Sequence, residues 1–328
     1  MRAIHCVQFG EPRNLLLIER DEPVAAPGEV LVAVEAAGLG YADALNVRGA
    51  YQVKRPLPFI PGGEMAGRVV GVGEGVPRHW LGRRVMALSP HGSLAERVAL
   101  PAALCTPIPD ALSAETAAGC IVNYCTALYA LETCGQLRAG ETVLVLGAAG
   151  GLGLAALDVA KALGAQVAAA ASSPEKLHAC AALGADWTVD YSRPDWRKAL
   201  AAALDKRPLN VVVDPVGGPY SETAFRCLAP GGRHLVLGFA AGEIPRIPLN
   251  LPLLKRASIV GVDWGGSHRS GPPAPPPELE RLLALVTAAK IHPAAQATYP
   301  LAQAGEVLQG MLERRGIGKA VIRVSSDP

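Results

Sequence analysis

The sequence predicts an α/β protein in which a domain of antiparallel strands precedes a doubly wound parallel sheet. Three observations lead to this fold class. A short apolar run at 143–147 is followed by a glycine-rich turn and by apolar residues at helical spacing up to Gly164. Further strand and helix patterns alternate after it. The first 107 residues instead contain short alternating segments, at 29–35, 66–72, 84–88 and 95–100, separated by Gly and Pro.

Composition and charge limit the class of protein. The chain has 328 residues, of which 50% are hydrophobic and 18% are charged, so it is long enough for two domains with cores. A formal net charge of +2 gives no reason to expect nucleic acid or a charged membrane surface as a partner. No apolar run has the length of a membrane span, and seven scattered cysteines suggest reduced thiols in a cytoplasmic protein.

The glycine-rich turn after residue 147 is typical of a dinucleotide site. Counted back from its last glycines, it follows the G-x-G-x-x-G pattern with Ala148 in the first glycine position. Backbone N–H groups in such a turn approach the pyrophosphate, and the N-terminus of the next helix adds partial positive charge. The predicted contacts are Ala148, Ala149, Gly150, Gly151 and Leu152. The alternative is a tight turn in a domain that binds no nucleotide.

Three further motifs accompany this turn. They are Gly-Tyr-Ala-Asp at 40–43, Leu-Pro-Phe-Ile-Pro-Gly-Gly-Glu at 57–64 and Gly-Lys-Ala-Val-Ile at 318–322. With the glycine turn, they resemble the medium-chain dehydrogenase/reductase superfamily and, within it, the zinc-independent quinone oxidoreductase branch typified by zeta-crystallin. The resemblance covers essentially the whole chain. It implies a GroES-like β-barrel catalytic domain over 1–123, a Rossmann NADP-binding domain over 124–262 and a C-terminal return to the catalytic domain over 263–328.

The residues argue against a metal site. A catalytic zinc needs three protein ligands from Cys, His or carboxylates. By the resemblance, Tyr41 and Gly63 replace the Cys and His of the zinc-dependent members, and only Glu64 of their Gly-His-Glu motif remains. Four cysteines lack the close spacing of a structural zinc site and are expected as buried apolar side chains: Cys105, Cys120, Cys125 and Cys134. We therefore predict no metal.

Two tyrosines are the candidate catalytic residues. The resemblance places Tyr41 where many quinone reductases carry an Asn beside the nicotinamide or substrate. Tyr51 matches a tyrosine near the substrate of related enoyl-thioester reductases, and a phenol is a plausible general acid toward an enolate. The alternative for Tyr51 is an aromatic ring that packs to close the cleft. Asp43 is expected to hold its loop, and His91 and His268 are assigned no chemistry.

The second strand of the parallel sheet, at 166–170, favours NADPH over NADH. NAD-specific folds end this strand with a carboxylate that binds the ribose 2′-hydroxyl. Here Ser172, Ser173 and Lys176 follow it, and two hydroxyls with an ammonium suit a 2′-phosphate. The resemblance adds Tyr191 beside that phosphate. The alternative is that Lys176 is a solvated helix residue and that Glu175 spoils the site.

Further contacts follow from the resemblance. It places Thr126, on a predicted helix, beside the nicotinamide, although an ordinary helix threonine is an equal alternative. It also brings Gly238 and Phe239, after a predicted strand at 233–238, to the cofactor. Lys319 is a possible phosphate or amide contact. A strand at 257–263 is expected to pair with its twin in a homodimer, and residues 299–315 are predicted to form the last helix.

The preferred hypothesis is an NADPH-dependent reductase that transfers a hydride to a quinone or to another conjugated carbonyl compound, without metal. The protein would supply orientation and a dry cleft between its domains. An enoyl-thioester reductase is the alternative, with Tyr51 as proton donor and Arg48, Lys54 and Arg55 near the carrier. A nucleotide-binding protein without turnover is a third hypothesis, since Tyr41 replaces the family's Asn.

Overall fold

The computed structural model describes residues 1–110, 112–267 and 271–324. The chain divides into two compact units. The first, called the barrel unit below, comprises 1–122, 271–279 and 293–328, and the second, called the parallel-sheet unit, comprises 123–270 and 280–292. The first boundary lies one residue from the predicted one. Residues 263–270 and 280–292 belong to the parallel-sheet unit rather than to the predicted C-terminal return. Within that unit, an ion pair at 3.1 Å joins Arg281, from the second of these segments, to Glu132.

The strands, in chain order, are β1 (Arg2–His5), β2 (Leu16–Glu19), β3 (Glu29–Gly38), β4 (Glu64–Val72), β5 (Arg84–Leu88), β6 (Arg97–Pro101), β7 (Thr106–Pro107), β8 (Thr142–Leu146), β9 (Gln166–Ala171), β10 (Trp187–Asp190), β11 (Leu209–Asp214), β12 (Leu228–Val236), β13 (Ser258–Gly261), β14 (Ala297–Pro300) and β15 (Ala320–Arg323). The α-helices are α1 (Tyr41–Val47), α2 (Ala114–Leu128), α3 (Gly151–Ala162), α4 (Pro174–Ala182), α5 (Trp196–Leu204), α6 (Pro219–Cys227), α7 (Asn250–Lys255), α8 (Trp264–Ser267), α9 (Pro277–Thr287) and α10 (Ala304–Leu312).

The barrel unit contains the antiparallel sheet that the alternating segments predict. Its order is β14-β15-β3-β4-β5-β7, and β6 pairs with the other part of β3. The pairing of β14 with β15 is parallel, and the other described pairings of this sheet are antiparallel. Along β3, Val30, Val32 and Val34 are buried, whereas the residues between them are only partly buried. This period of two places one face of the strand in the core. Two bulges shift the register between β3 and β4, which bends the sheet.

The parallel-sheet unit has six strands in the order β10-β9-β8-β11-β12-β13. All the pairings described for it are parallel. Every residue of β8 is buried, as expected for an inner strand covered on both faces. The chain proceeds outward from β8 through β9 to β10 and then returns to β11 on the other side of β8. The carboxyl ends of β8 and β11 therefore form a topological switch point, where open α/β sheets bind ligands.

Local signals account for the helices around this sheet. Ser173 caps α4, with Pro174 in its first position. Ser113 caps α2 by accepting the backbone N–H of Thr116 at 3.1 Å. Trp196, the first residue of α5, is 5% exposed and faces inward.

Several elements differ from the sequence prediction. The last helix begins only at α10, because Tyr299 lies in β14, which pairs with β15. The proline at position 300 disfavours helical geometry at Tyr299, so the chain there is extended. Helix α1 was not anticipated, and α2 continues as a π-helical turn over Tyr129–Cys134. Within the described ranges, no helix is long and apolar enough to cross a membrane.

Candidate functional site

The glycine turn joins β8 to α3 as predicted. Gly147 has a φ of +59°, a left-handed conformation that favours glycine. Gly150 is the N-cap of α3, and its N–H bonds to the carbonyl of Gly147 at 3.0 Å. A Cβ on Gly153 would lie 2.3 Å from the same carbonyl oxygen, so only glycine lets the first turn of α3 come this close. The turn is thus held at the switch point of the sheet.

The exposure of this turn suits a bound phosphate. Ala148 and Ala149 are buried, Gly150 is exposed, and Gly151 and Leu152 are partly exposed at the start of α3. The first N–H groups of a helix have no partner within the helix and point toward a ligand at its N-terminus. The N-terminus of the twelve-residue α3 lies at this turn. The backbone N–H groups of Ala148 and Gly150 already bond to the carbonyls of Ala170 and Gly147, each at 3.0 Å, and the contact of residues 148–152 with a pyrophosphate stays a prediction.

The predicted 2′-phosphate residues meet at the ends of two neighbouring strands. Ala171 in β9 lies opposite Asp190 in β10, so Ser172 and Tyr191 follow at adjacent positions. The Tyr191 N–H bonds to the carbonyl of Ala171 at 3.1 Å, and the Tyr191 ring packs against Tyr220 with 4.5 Å between centroids. The fold thus brings Ser172 and Tyr191 together, although they are nineteen positions apart in the sequence.

The two serines have different surroundings. Ser172 is exposed, whereas Ser173 accepts the backbone N–H of Lys176 at 3.4 Å as the cap of α4. The Ser173 hydroxyl also donates to Glu175 and lowers the pKa of that exposed carboxyl. Ser173 is therefore already used in capping, and Ser172 is the hydroxyl available to a ligand. Lys176 is only partly exposed, so it differs from a fully solvated helix lysine.

Gly238 and Phe239 follow β12, at the carboxyl edge of the sheet. Their loop is tied to the loop after β11 by a hydrogen bond from Ala240 N–H to the carbonyl of Pro215 at 3.1 Å. Phe239 is 38% exposed, which is unusual for a phenylalanine in a structured loop. Thr126 lies near the end of α2 and is partly buried. The parallel-sheet unit thus carries every predicted cofactor residue except Lys319.

Asp214 ends β11 and is buried. Its Oδ1 accepts the backbone N–H groups of Val216 at 2.9 Å and Gly217 at 2.8 Å. Its Oδ2 accepts from the hydroxyl of Ser221 at 2.5 Å and lies 2.9 Å from Nε2 of His234. Burial alone would raise the pKa of Asp214, but the hydrogen bond and charge of His234, with the other donors, hold it below its usual range.

In the barrel unit, the predicted catalytic tyrosines lie near the two ends of α1. Tyr41 is the first residue of this helix, and Tyr51 follows its C-terminal turn; both are partly buried. Asp43 accepts the backbone N–H of Gly40 at 2.8 Å, so it holds the start of the helix, as expected. Burial, partly offset by the Gly40 N–H and by Lys319, raises the pKa of Asp43 to about 6.

A buried ion pair beside Asp43 was not predicted. The Lys319 ammonium pairs with the Glu64 carboxylate, and these two side chains are 5% and 2% exposed. The second oxygen of Glu64 accepts the backbone N–H of Val122 at 2.8 Å. Gly38 leaves room for this carboxylate, since a Cβ there would lie 2.7 Å from its oxygen. The structure thus gives Lys319 a protein partner; its contact with a cofactor stays a prediction.

The two units match two protein-family models. The alcohol dehydrogenase GroES-like domain matches residues 26–110, and the zinc-binding dehydrogenase domain matches residues 151–286. The first match lies in the barrel unit, and most of the second lies in the parallel-sheet unit.

The residues that the structure describes do not fit a zinc ion, despite the second model's description. Over 1–110, 112–267 and 271–324, no group of three or more His, Cys, Asp or Glu side chains is placed to hold a metal. Burial raises the pKa of Cys105 to about 12 and also raises that of Cys120, which disfavours the thiolate that a metal requires. His91 lies in a loop of the barrel unit, and His268 lies outside the described residues.

Relatives cover nearly the whole chain. A quinone oxidoreductase-like protein 2 homolog from Nematostella vectensis is 36% identical over 98% of this chain and 88% of its own length. A quinone oxidoreductase from Pseudomonas aeruginosa is 33% identical, with 98% and 99% covered. The solved quinone oxidoreductase of Thermus thermophilus, described with its NADPH complex, is 36% identical with a TM-score of 0.82, covering 99% and 100%. This chain belongs to the medium-chain dehydrogenase/reductase superfamily, among its quinone oxidoreductase-like members.

Proposed function

We propose that this protein is an NADPH-dependent oxidoreductase that transfers a hydride to quinones or to other conjugated carbonyl acceptors, without a metal. The observation that carries the proposal is the glycine turn at the switch point of the parallel sheet, where Gly153 lets α3 approach the turn and leaves its first N–H groups for a pyrophosphate. Solved relatives described as NADPH complexes support the same cofactor.

The preference for NADPH rests on the end of β9. In this proposal Ser172, Lys176 and Tyr191 hold the 2′-phosphate, because a hydroxyl and an ammonium complement its charge and its acceptor oxygens. No acidic residue directly follows β9, where an NAD-specific fold carries the carboxylate that binds the 2′-hydroxyl. Glu175 is the nearest acid in sequence, and its hydrogen bond with Ser173 directs it to the helix cap.

The protein's part in the reaction is binding and orientation. The turn at Ala148–Leu152 would hold the pyrophosphate, and Thr126, Gly238 and Phe239 would border the nicotinamide. The chemistry supplied by bound NADPH is hydride donation from its reduced ring. A quinone accepts a hydride without a strong acid, so the residues around it need only exclude water and fix the approach. By the resemblance, Tyr41 and Gly63 stand where zinc-dependent members carry Cys and His, which favours acceptor reduction over metal-assisted alcohol oxidation.

A second candidate is an enoyl-thioester reductase. It is favoured by Tyr51, a partly buried phenol that shortly precedes Lys54 and Arg55 in the sequence. The Arg55 guanidinium lies over the Phe59 ring at 5.9 Å, and Arg48 and Lys54 are exposed and basic. These cations would bind a phosphorylated carrier, while Tyr51 would donate a proton to the enolate.

One assay separates these functions. Purified protein with NADPH is given a panel of quinones, enones and crotonyl thioester while absorbance at the nicotinamide band is followed. Oxidation with quinones and enones supports the first function. Thioester turnover that is lost in Tyr51→Phe supports the second. Tight NADPH binding without turnover on any acceptor would contradict both and leave a binding protein, which is the third hypothesis.

We also propose a homodimer that joins at β13. This strand is last in the order of the parallel sheet, and α7, which precedes it in the chain, exposes Leu253 and Leu254 by 75% and 73%. Exposed apolar side chains next to a sheet edge are typical of an interface. Sedimentation should give a dimer, and Leu253→Asp with Leu254→Asp should give a monomer. All seven cysteines are free thiols, which supports a reducing compartment such as the cytoplasm.

A further inference from the structure

The loops after β11 and β12 are joined to each other rather than independent. Ala240 N–H bonds to the carbonyl of Pro215 at 3.1 Å, and Ala241 N–H bonds to that of Val216 at 2.7 Å. Leu237 N–H bonds to the carbonyl of Asp214 at 2.9 Å. We call residues 214–218 and 237–243 the paired loops. A change in the conformation of the first loop must therefore move the second.

Glycine at the turn of the first loop lets Phe239 pack closely on it. Gly217 and Gly218 have φ values of +69° and +59°, which other residues rarely adopt. A Cβ on Gly217 would lie 2.9 Å from Cδ1 of Phe239, so the phenylalanine ring sits directly on the glycine backbone. The orientation of this ring, 38% exposed, depends on the path of the first loop.

The buried carboxylate of Asp214 defines that path. Its two backbone bonds, to Val216 and Gly217, close the turn just before Gly218. Its other oxygen is held by Ser221, in the first turn of α6, and by His234, in the neighbouring strand β12. The carboxylate thus connects β11, β12 and α6 at the base of the paired loops. Two backbone N–H groups, a hydroxyl and an imidazole contact it.

The described hydrogen bond of His234 is to this carboxylate, and its ring lies near that of Phe225 with 6.0 Å between centroids. It is fully buried, and within the described part of the chain its Nδ1 atom has no hydrogen-bond partner. An apolar residue at this inner position of β12 would avoid the cost of an unsatisfied nitrogen. The unsatisfied Nδ1 atom therefore lowers stability, and the hydrogen bond that the imidazole makes in return is the one between Nε2 and Asp214.

We propose that Asp214, Ser221 and His234 are positioning residues for the cofactor: together they fix the paired loops and thereby the placement of Gly238 and Phe239. This inference rests on the proposed function, because Gly238 and Phe239 border the nicotinamide only there. None of the three touches the reacting atoms. Their effect is on how tightly NADPH binds and on how its ring is oriented for hydride transfer.

The test compares conservative and non-conservative variants by the Kd for NADPH, measured by fluorescence on folded protein well below its Tm. Ser221→Ala and His234→Leu should each weaken binding about tenfold, the effect of one lost hydrogen bond to a charged group. His234→Gln retains a nitrogen donor toward Asp214 and should restore most of the affinity. Val211→Ala, a buried truncation in the same strand as Asp214, should lower Tm without changing Kd.

A double-variant cycle tests whether the effect passes through Phe239. If the three residues act through the paired loops, Ser221→Ala should cost much less affinity in a Phe239→Ala background than in the wild type. Hydrogen exchange of 214–218 and 237–243 in cofactor-free His234→Leu should rise, whereas exchange in β8 should not.

The outcomes distinguish this inference from the proposed function. Wild-type protein that binds NADPH but reduces no acceptor would refute the proposed function, while a Kd that depends on Ser221 and His234 would still support the positioning role. Variants that lose Tm but retain the wild-type Kd, or a cycle with additive effects, would overturn the positioning role and leave the proposed function intact. Wild-type protein that does not bind NADPH would overturn both.

Discussion

Two buried carboxylates, one in each unit, are stabilised by different means. Asp214 in the parallel-sheet unit and Glu64 in the barrel unit each have a side chain that is 2% exposed. Asp214 is held by backbone N–H groups, a hydroxyl and an imidazole. Glu64 is held by the Lys319 ammonium and by one backbone N–H. The contacts of Asp214 are directional hydrogen bonds, whereas the main contact of Glu64 is an opposite charge that neutralises it.

The difference indicates what each carboxylate does for its unit. A carboxylate with several directional donors fixes the path of a loop, so its loss should appear mainly in ligand binding. A buried ion pair is held by its partner charge, and removal of one member leaves the other uncompensated. Its loss should appear mainly in stability. Four experiments sharpen this contrast, beginning with the largest effect.

The largest effect is expected for Lys319→Met. This change leaves the Glu64 carboxylate buried without its cation, which should lower the free energy of unfolding by about 3–5 kcal/mol. Urea unfolding measures the loss. The matched control is Lys161→Met, whose ammonium pairs with Asp186 at 2.8 Å but whose side chain is 33% exposed. That exposed pair should contribute less than about 1 kcal/mol.

The second partner provides a further check on the same pair. Glu64→Gln retains an oxygen for the Val122 N–H, so the double variant with Lys319→Met removes both charges and keeps that bond. It should be less destabilised than the sum of the two single variants. Equal losses of unfolding free energy for Lys319→Met and Lys161→Met would show that burial does not increase the contribution of the Lys319–Glu64 pair to stability.

The next effect concerns cofactor choice. Ser172→Asp places a carboxylate at the exposed end of β9, where it would repel a 2′-phosphate and accept a bond from a 2′-hydroxyl. NADPH affinity should fall about 100-fold relative to NADH affinity, which is about 2.7 kcal/mol. Titration with both cofactors measures this ratio. Ser172→Asn, similar in size but neutral, should retain the preference for NADPH. An unchanged ratio in Ser172→Asp would place the 2′-phosphate elsewhere.

A smaller effect is expected at the glycine turn. In Gly153→Ala the new Cβ would lie 2.3 Å from the Gly147 carbonyl oxygen and 2.6 Å from the Ala148 carbonyl carbon, so α3 must move away from the turn. Overpacking of this kind costs about 1–3 kcal/mol of stability. NADPH affinity should also fall about tenfold, because the phosphate-binding N–H groups move with α3.

The control for the turn is Gly316→Ala, where a Cβ would meet nothing within 4 Å and the backbone φ is not positive. It should change neither Tm nor NADPH affinity. A Gly153→Ala protein with wild-type affinity would mean that the first turn of α3 does not hold the pyrophosphate.

The same contrast explains which features the sequence predicted. The glycine turn and the strands β8 and β9 depend on residues within a few positions of one another, so local patterns identify them. The cap of α4 at Ser173 was not predicted, because Ser173 was expected at the 2′-phosphate. The family resemblance placed Tyr191 near Ser172, and the pairing of β9 with β10 accounts for their adjacent positions. The error at Tyr299 has a local cause as well: apolar spacing favoured a helix, but the following proline and the pairing with β15 prevailed.

The features that the sequence did not predict are tertiary. Glu64 and Lys319 are separated by 255 positions, and nothing in either motif indicates that one side chain neutralises the other. His234 appeared only as part of an apolar strand, because its partner lies on a neighbouring strand. A polar residue at an inner strand position was the available signal, since such a group requires a buried partner.

The smallest expected effect is the pH dependence at Asp43. Burial raises the pKa of this carboxyl from 3.8 to about 6, with Lys319 and Arg55 opposing the rise and Glu64 adding to it. A carboxyl with a raised folded-state pKa contributes most to stability below its unfolded pKa, and this contribution is lost as pH rises through about 6. The wild type should therefore lose stability between pH 4 and pH 7 relative to Asp43→Asn.

The expected difference is about 1–2 kcal/mol, less than the full shift implies, because Asp43 is partly exposed to solvent. Asparagine retains an oxygen for the Gly40 N–H, so the start of α1 stays capped and only the titration is removed. Urea unfolding of the wild type and Asp43→Asn at several pH values from 4 to 7 measures this difference in the free energy of unfolding. A stability difference that stays constant over this range would mean that Asp43 ionises in the folded barrel unit as it does in the unfolded chain. The charge balance among Asp43, Glu64 and Lys319 would then have to be revised.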